Sequence, residues 1–295
     1  MAALLHKYGG RLVAQETAAA EKSSAPPERE APESDPKAPK PPEKVAFSQD
    51  GTTIRTYAGW KEVKISSISE FTVRPAIRSG DDPEVHLIRH SYCAGLWNHE
   101  VLNQHFWWDV QRRHADRSPC QAAIADAAPW IWHNFSVTAS QAQNIIDWWH
   151  ARDYFWRVAN VVFGEGSAAA TAWMEQQETS LWHGDVAAIR QALLALHPAT
   201  KETHDKVPCA LDYLQEHAAR LRYSDFRAAG YPLGSGTVES SCNTLVGARL
   251  KQAGQTWSEY GANAMLAVRA AMFSDRWSEA WACIYWLPAG SSTTS

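Results

Sequence analysis

Three stretches between 45 and 94 alternate apolar and polar residues at close to the two-residue period of a half-buried strand. They are VAFSQ (45–49), KEVKISSISEF (61–71) with Val63, Ile65 and Ile68 inward, and EVHLIRHSYCA (84–94). Asp50-Gly51 is expected to end the first, with TTIRT extending the edge or bending with the turn. The short connections predict an antiparallel meander. The period then changes. WNHEVLNQHFWWDVQRRH (97–114) reads as a helix, and CQAAIAD (120–126) as a buried strand ending at Asp126. A helix follows that accepts Pro129 in its first turn. NIIDWW (144–149) reads as another short strand, and ARDYFWRVANVVF (151–163) as an apolar helix stopped by Gly164. Short strands separated by helices after a meander predict an α/β fold. Its mixed five-stranded sheet has three antiparallel strands, then two parallel ones, with helices flanking it.

From 167 to 228 no strand pattern occurs, which predicts an all-helical insertion. The run GYPLGSG (230–236) cannot be the middle of a helix or strand. It opens a segment, 229–295, whose first helix carries Glu239 near its start and Arg249 and Lys251 about three turns later. One or two helices complete it. At the other end, residues 1–16 suit a short helix. Residues 17–44, rich in Ala, Glu, Lys, Ser and Pro, read as a disordered linker. The predicted organisation is therefore 1–44 helix candidate and linker, 45–166 first part of the core, 167–228 insertion, and 229–295 Glu239 helix and C-terminal helices.

Composition narrows the function classes. No run approaches the ~18 apolar residues of a membrane span, and the N-terminus turns polar too early for a signal peptide. Five cysteines without a CxxC pair indicate neither a disulfide framework nor a thiolate zinc site. A reducing cytoplasm is expected. The net charge of −4 lacks the basic excess of most nucleic-acid binders, although local patches are compatible with it. Fifteen tryptophans, concentrated in the middle of the chain, are expected mainly in the core.

The candidate chemistry is acidic. If the first and fourth strands lie side by side, Asp50 and Asp126 stand at adjacent strand ends, and Glu239 on a later helix supplies a third carboxylate. Converging carboxylates repel unless a divalent ion binds or one holds a proton. Oxygen donors favour Mg²⁺ or Mn²⁺. Two such ions suit phosphoryl transfer, hence nuclease or strand-transfer chemistry. Each acid taken singly also suits a structural turn or helix start. Asp147, at the end of the fifth strand, competes with Asp126 for the second role.

Four runs carry a resemblance: DGTTIRTYAGWKEVK (50–64), ADAAPWIW (125–132), IIDWWHARDYFWRVANVVFGEG (145–166) and AGYPLGSGTVESSCNTLVGARLKQAGQTWSEYGANAMLAVRAAMFSDRW (229–277). With them the chain, over 45–281, resembles DDE-type transposases of bacterial insertion sequences, the ISKra4-like group. The resemblance implies an RNase H-like core interrupted by the helical insertion, with Asp50, Asp126 and Glu239 as a triad holding two Mg²⁺ or Mn²⁺ ions. It implies hydrolysis and strand transfer on double-stranded DNA, at terminal inverted repeats and target, by a homo-oligomer in the bacterial cytoplasm or on the nucleoid. The spacing Asp147-Trp-Trp-His150 matches a motif of related enzymes, making both residues secondary-site candidates. Lys61, Lys64, Arg249 and Lys251 are candidate phosphate contacts, and Trp173 and Trp182 in the insertion candidate base-stacking residues. Two departures stand out. Ala127 replaces the more usual Gly, and the region preceding the core is shorter than in the family. The second raises the alternative of a truncated, non-autonomous remnant that only binds DNA or a partner. A generic RNase H-like nuclease is disfavoured by the insertion and the GSGTVES run.

Overall fold

The computed structural model describes residues 2–23, 40–75, 83–196 and 201–285. Strands β1 (Lys44–Thr56), β2 (Gly59–Arg74) and β3 (Glu84–Gly95) form the meander. Helix α2 (His99–Arg112) leads to β4 (Cys120–Ala125), and α3 (Pro129–Thr138) to β5 (Gln143–Ile146). The sheet order is β3-β2-β1-β4-β5, with β4 parallel to both β1 and β5. This is the expected mixed five-stranded RNase H-like sheet. β4 lies between β1 and β5 and reads Ala-Ala-Ile-Ala over 122–125, all fully buried. Such a continuous apolar run is what a strand covered on both faces requires.

Helix α4 (Trp148–Phe163) ends at Gly164, as expected. Then come α5 (Ala168–Trp182), α6 (Val186–Leu194), α7 (Lys201–His217) and α8 (Tyr223–Ala228), the all-helical insertion. The chain returns through α9 (Gly236–Ser241), a π-helical stretch over Cys242–Gly247, and α10 (Ala248–Leu250). Helices α11 (Glu259–Phe273) and α12 (Trp277–Tyr285) follow. One core cluster joins Phe47, Phe106, Ile124, Phe135, Ile145 and Phe155 to the insertion through Tyr213 and Leu214. A second packs Ile54, Val63 and Ile65 of the β1–β2 hairpin against Val238, Leu245, Val246 and Leu266. That second cluster seats the Glu239 segment on the sheet.

Three boundaries differ from expectation. β1 does not end at Asp50; it runs on to Thr56, paired with β2 throughout. Its β-branched run Thr-Thr-Ile favours the extended chain, and Ile54 is fully buried. β5 stops at Ile146, because Asp147 accepts hydrogen bonds from the Trp149 and His150 N–H groups and so caps α4. Trp148 and Trp149 are therefore helical. Finally, α1 spans Ala2–Lys22, past the boundary expected for the linker, of which residues 24–39 lie outside the described residues. It packs on α11 and α12: Leu12 clusters with Ala267 and Ala271 of α11 and Ala280 of α12, and buried Glu16 accepts a 2.8 Å bond from Arg276 between them. A Cβ at Gly9 would come within 2.7 Å of the Ala264 carbonyl oxygen, so its absence lets the two helices approach.

Candidate active site

Strand register places the acids. β1 and β4 pair in parallel from Lys44↔Cys120 to Phe47↔Ala123. Carried three residues further, that register sets Asp50 level with Asp126. On the other side Ala125 pairs with Ile146, so the residues that follow, Asp126 and Asp147, are level too. The three aspartates form one row across the ends of β4 and β5, the side of a parallel sheet where α/β proteins build their sites.

Their environments differ. Asp50 Oδ1 accepts the Gly51 N–H at 2.7 Å, and Oδ2 lies 3.1 Å from the Cys242 sulfur. Burial pushes the Cys242 thiol far up, with the Asp50 charge adding to it, so the thiol stays protonated and donates. Asp126 accepts the Ala128 N–H at 2.8 Å, and its carbonyl accepts the Trp132 indole N–H at 2.8 Å. Burial raises the Asp126 carboxyl above its ordinary range, and the charges of Asp50 and Asp147 raise it further. The Ala128 N–H and His150 act the other way. Asp147 has no solvent exposure. Its Oδ1 accepts the Trp149 and His150 N–H groups at 2.7 and 3.0 Å, and its Oδ2 accepts the Ser235 N–H. Both oxygens are thus occupied by backbone donors, and Asp147 is a buried strut.

That strut positions Glu239. The Ser235 amide is fastened to Asp147, the Trp148 N–H donates to the Leu233 carbonyl at 2.9 Å, and α9 starts immediately after. Glu239, one turn into the helix, accepts the Ser235 hydroxyl at 3.1 Å and sits 3.2 Å from His150 Nε2 on the same oxygen, Oε1. His150 and Glu239 are both half-exposed. Downstream, Arg269 donates to the Leu245 and Thr244 carbonyls at 2.7 and 2.5 Å, satisfying groups within the π-helical stretch that holds Cys242 against Asp50. Ser235 and Cys242 were not singled out from the sequence, yet their spacing from Glu239, four residues before and three after, is the same-face spacing of a helix.

The remaining candidates are dispersed. Lys64 is largely buried, 2.9 Å from Glu62 and 3.9 Å over the Trp130 ring. Lys61 pairs with Glu259 at 3.5 Å. Lys251 is exposed and bonds the Thr52 hydroxyl, two residues from Asp50 along β1. Arg249 is half-buried at the end of α10. In the insertion, Trp173 leans on Phe163 at 6.3 Å, and Trp182 meets Trp148 edge-on at 5.4 Å. Trp107 and Trp132 are core, as expected, but Trp149 beside His150 is exposed.

As positioned, no three His, Cys, Asp or Glu side chains among the described residues form a group able to hold a metal ion. The donor chemistry of Asp50 and Asp126 suits a hard cation, which would offset the burial that chiefly raises Asp126 and the smaller push of the Asp50 and Asp147 charges. The third carboxylate, Glu239, is turned to His150 and Ser235.

No family model and no curated protein sequence matches the chain. Among the described residues no helix is long and apolar enough to cross a membrane. The architecture is that of the RNase H-like fold, consistent with the broad superfamily that includes DDE transposases and integrases.

Proposed function

We propose that this protein is a DNA transposase of the DDE type, similar to the ISKra4-like group, acting on insertion-sequence ends. The observation that carries the reading is the register that sets Asp50 level with Asp126, with Glu239 delivered by a helix packed on the same hairpin. In the first reaction a water oxygen bonds to phosphorus at the element end, the P–O3′ bond breaks, and the leaving oxygen takes up a proton. In the second the freed 3′ hydroxyl loses its proton and bonds to a target phosphorus, whose own P–O3′ bond breaks, and the displaced O3′ takes up a proton. Asp50 and Asp126 would hold the metal, and Glu239 would complete the set on release from His150. Mg²⁺ or Mn²⁺, when bound, would supply neutralisation of the charge that develops in phosphoryl transfer. Asp147 keeps the start of α4 and the turn before α9 together, so that Glu239 and Asp126 stay on one side of the sheet. His150 orders Glu239 in the absence of metal.

A specific observation favours a second reading, a DNA-binding or interaction protein without catalysis: the Glu239 carboxylate is already engaged by two donors. A joining assay separates the two. The chain is incubated with a labelled, pre-nicked duplex carrying the repeats that flank its coding sequence, with Mn²⁺ or Mg²⁺, beside Glu239→Gln. Cleavage or joining that needs both the metal and Glu239, falling at least ~100-fold in the variant, supports the transposase. Binding without cleavage in either protein supports the second reading.

A further inference from the structure

The β1–β2 hairpin extends beyond the region where β1 is flanked by β4, and its tip carries two large exposed aromatics. Tyr57 is 80% and Trp60 70% exposed, the highest values among the described large hydrophobic residues. Neither sits on a loose loop. The turn closes with the Thr56 hydroxyl on the Gly59 carbonyl at 2.7 Å. Gly59 takes φ 105°, which a side chain there would oppose. The free edge of β1 is pinned from the other side: Trp257 N–H donates to the Arg55 carbonyl at 3.1 Å, and Tyr57 N–H to the Trp257 carbonyl at 3.0 Å. β1 is therefore hydrogen-bonded on both edges where it enters the tip, and Trp60 is held against it by its pairing with Arg55.

Beside it lies an open groove of about 490 Å³, walled by Thr53, Arg55 and Trp60 of the hairpin and by the loop from Lys251 to Thr256. Arg55 and Trp60 are cross-strand partners. The surroundings are locally basic in a chain of net charge −4. Lys64 answers Glu62, and Lys61 answers Glu259. Among the described residues Arg55 and Lys251 face no carboxylate within ion-pair distance. A rigid aromatic face beside uncompensated cations is the arrangement that takes a base by stacking and its phosphates by charge.

We propose that this hairpin groove binds an unpaired nucleotide of the DNA strand, with Trp60 as the stacking platform, Tyr57 as a second ring at the tip, and Arg55 and Lys251 on the backbone. The groove deepens the transposase reading and rests on it for the position of the contact. Arg55 lies five residues along β1 from Asp50, ~17 Å at the strand rise. At ~3.4 Å per nucleotide step, the stacked base is about five nucleotides from the scissile phosphate. A duplex end opened to that depth would be held apart by the hairpin.

The test uses the full chain in EDTA, so that no chemistry is needed. The probe is a 2-aminopurine-labelled oligonucleotide, offered as a single strand, as a perfect duplex, and as a nicked duplex unpaired near the nick. Trp60→Ala is expected to weaken the single strand and the unpaired duplex by about 5- to 150-fold, and the perfect duplex by much less. Trp60→Phe should restore most of the binding. Arg55→Ala should weaken all three probes and flatten the salt dependence. The 2-aminopurine quench should peak with the label about five nucleotides from the nick and vanish in Trp60→Ala. An equal loss on the perfect duplex, no loss at all, or a change confined to self-association of the chain overturns the proposal. An unfolded variant is recognised by its melting temperature, and Trp60→Phe then decides alone. If joining fails while Trp60-dependent quenching persists without the five-nucleotide maximum, the transposase reading falls and the nucleotide site stands.

Discussion

Three aspartates stand level at one edge of the sheet, and their hydrogen bonds assign them different work. Asp147 is fully buried and satisfied by three backbone N–H groups, whereas Asp126 is raised chiefly by burial, with the Asp50 and Asp147 charges adding to it, and has one N–H on its carboxylate. Opposite responses to the same substitution follow. Asp147→Asn keeps one oxygen for the cap of α4 but replaces the other with an amide NH₂, a donor set against the buried Ser235 N–H; urea denaturation should show a loss of about 2 kcal/mol or more. Asp126→Asn should do the reverse in metal-free solution. A carboxyl whose folded pKa is raised supports the fold below its unfolded pKa and ceases to as pH rises through the folded value. Through this group the wild-type chain loses stability as pH climbs above the ordinary 3.8 of an aspartate, a loss the asparagine variant is spared. Its melting temperature should exceed the wild type's at neutral pH in EDTA, with the gap closing in acid. Mg²⁺ should stabilise the wild type alone. A variant no more stable than wild type at pH 7 would contradict this account of the site. The Asp-Trp-Trp-His spacing was visible in the sequence. The difference between strut and candidate ligand was not, because it depends on Ser235, 88 residues further on.

At the scale of elements, apolar periodicity located the meander, β4, the insertion helices and the Glu239 helix, and it failed where a contact from elsewhere set the boundary. Asp50-Gly51 looked like a turn in isolation. In the fold, Gly51 simply pairs with Lys64 in an uninterrupted hairpin, and the buried Ile54 beyond it gives the strand reason to continue. Residues 1–16 offered only a generic helix, and the length of α1 is set by its docking on α11. Its ion pair, Glu16–Arg276, is buried on both sides, and burial works against the charge on Glu16. Removing one partner leaves the other charge uncompensated. Arg276→Ala should cost about 3–5 kcal/mol in urea denaturation, and the double substitution Glu16→Leu with Arg276→Met much less. Equal losses in the two proteins would show that α1 is held by its apolar face alone.

For the molecule as a whole, the sequence by itself determined the inventory: which stretches alternate, which are helical, where an all-helical block interrupts the sheet, and that Asp126 follows the fourth strand. Those features are local, written in periods of two and 3.6 residues and in turn residues such as Gly164. Only the tertiary structure decided which distant residues meet. Placing β1 beside β4 brings Asp50 to Asp126. Stitching the turn before α9 to Asp147 brings Glu239 to the same edge. The loop at Trp257 turns a hairpin tip into a rigid aromatic platform. Each of these joins residues between about 75 and 200 positions apart. No short-range pattern encodes such pairings, because they are selected by the burial of whole faces against one another rather than by the preferences of the residues that meet.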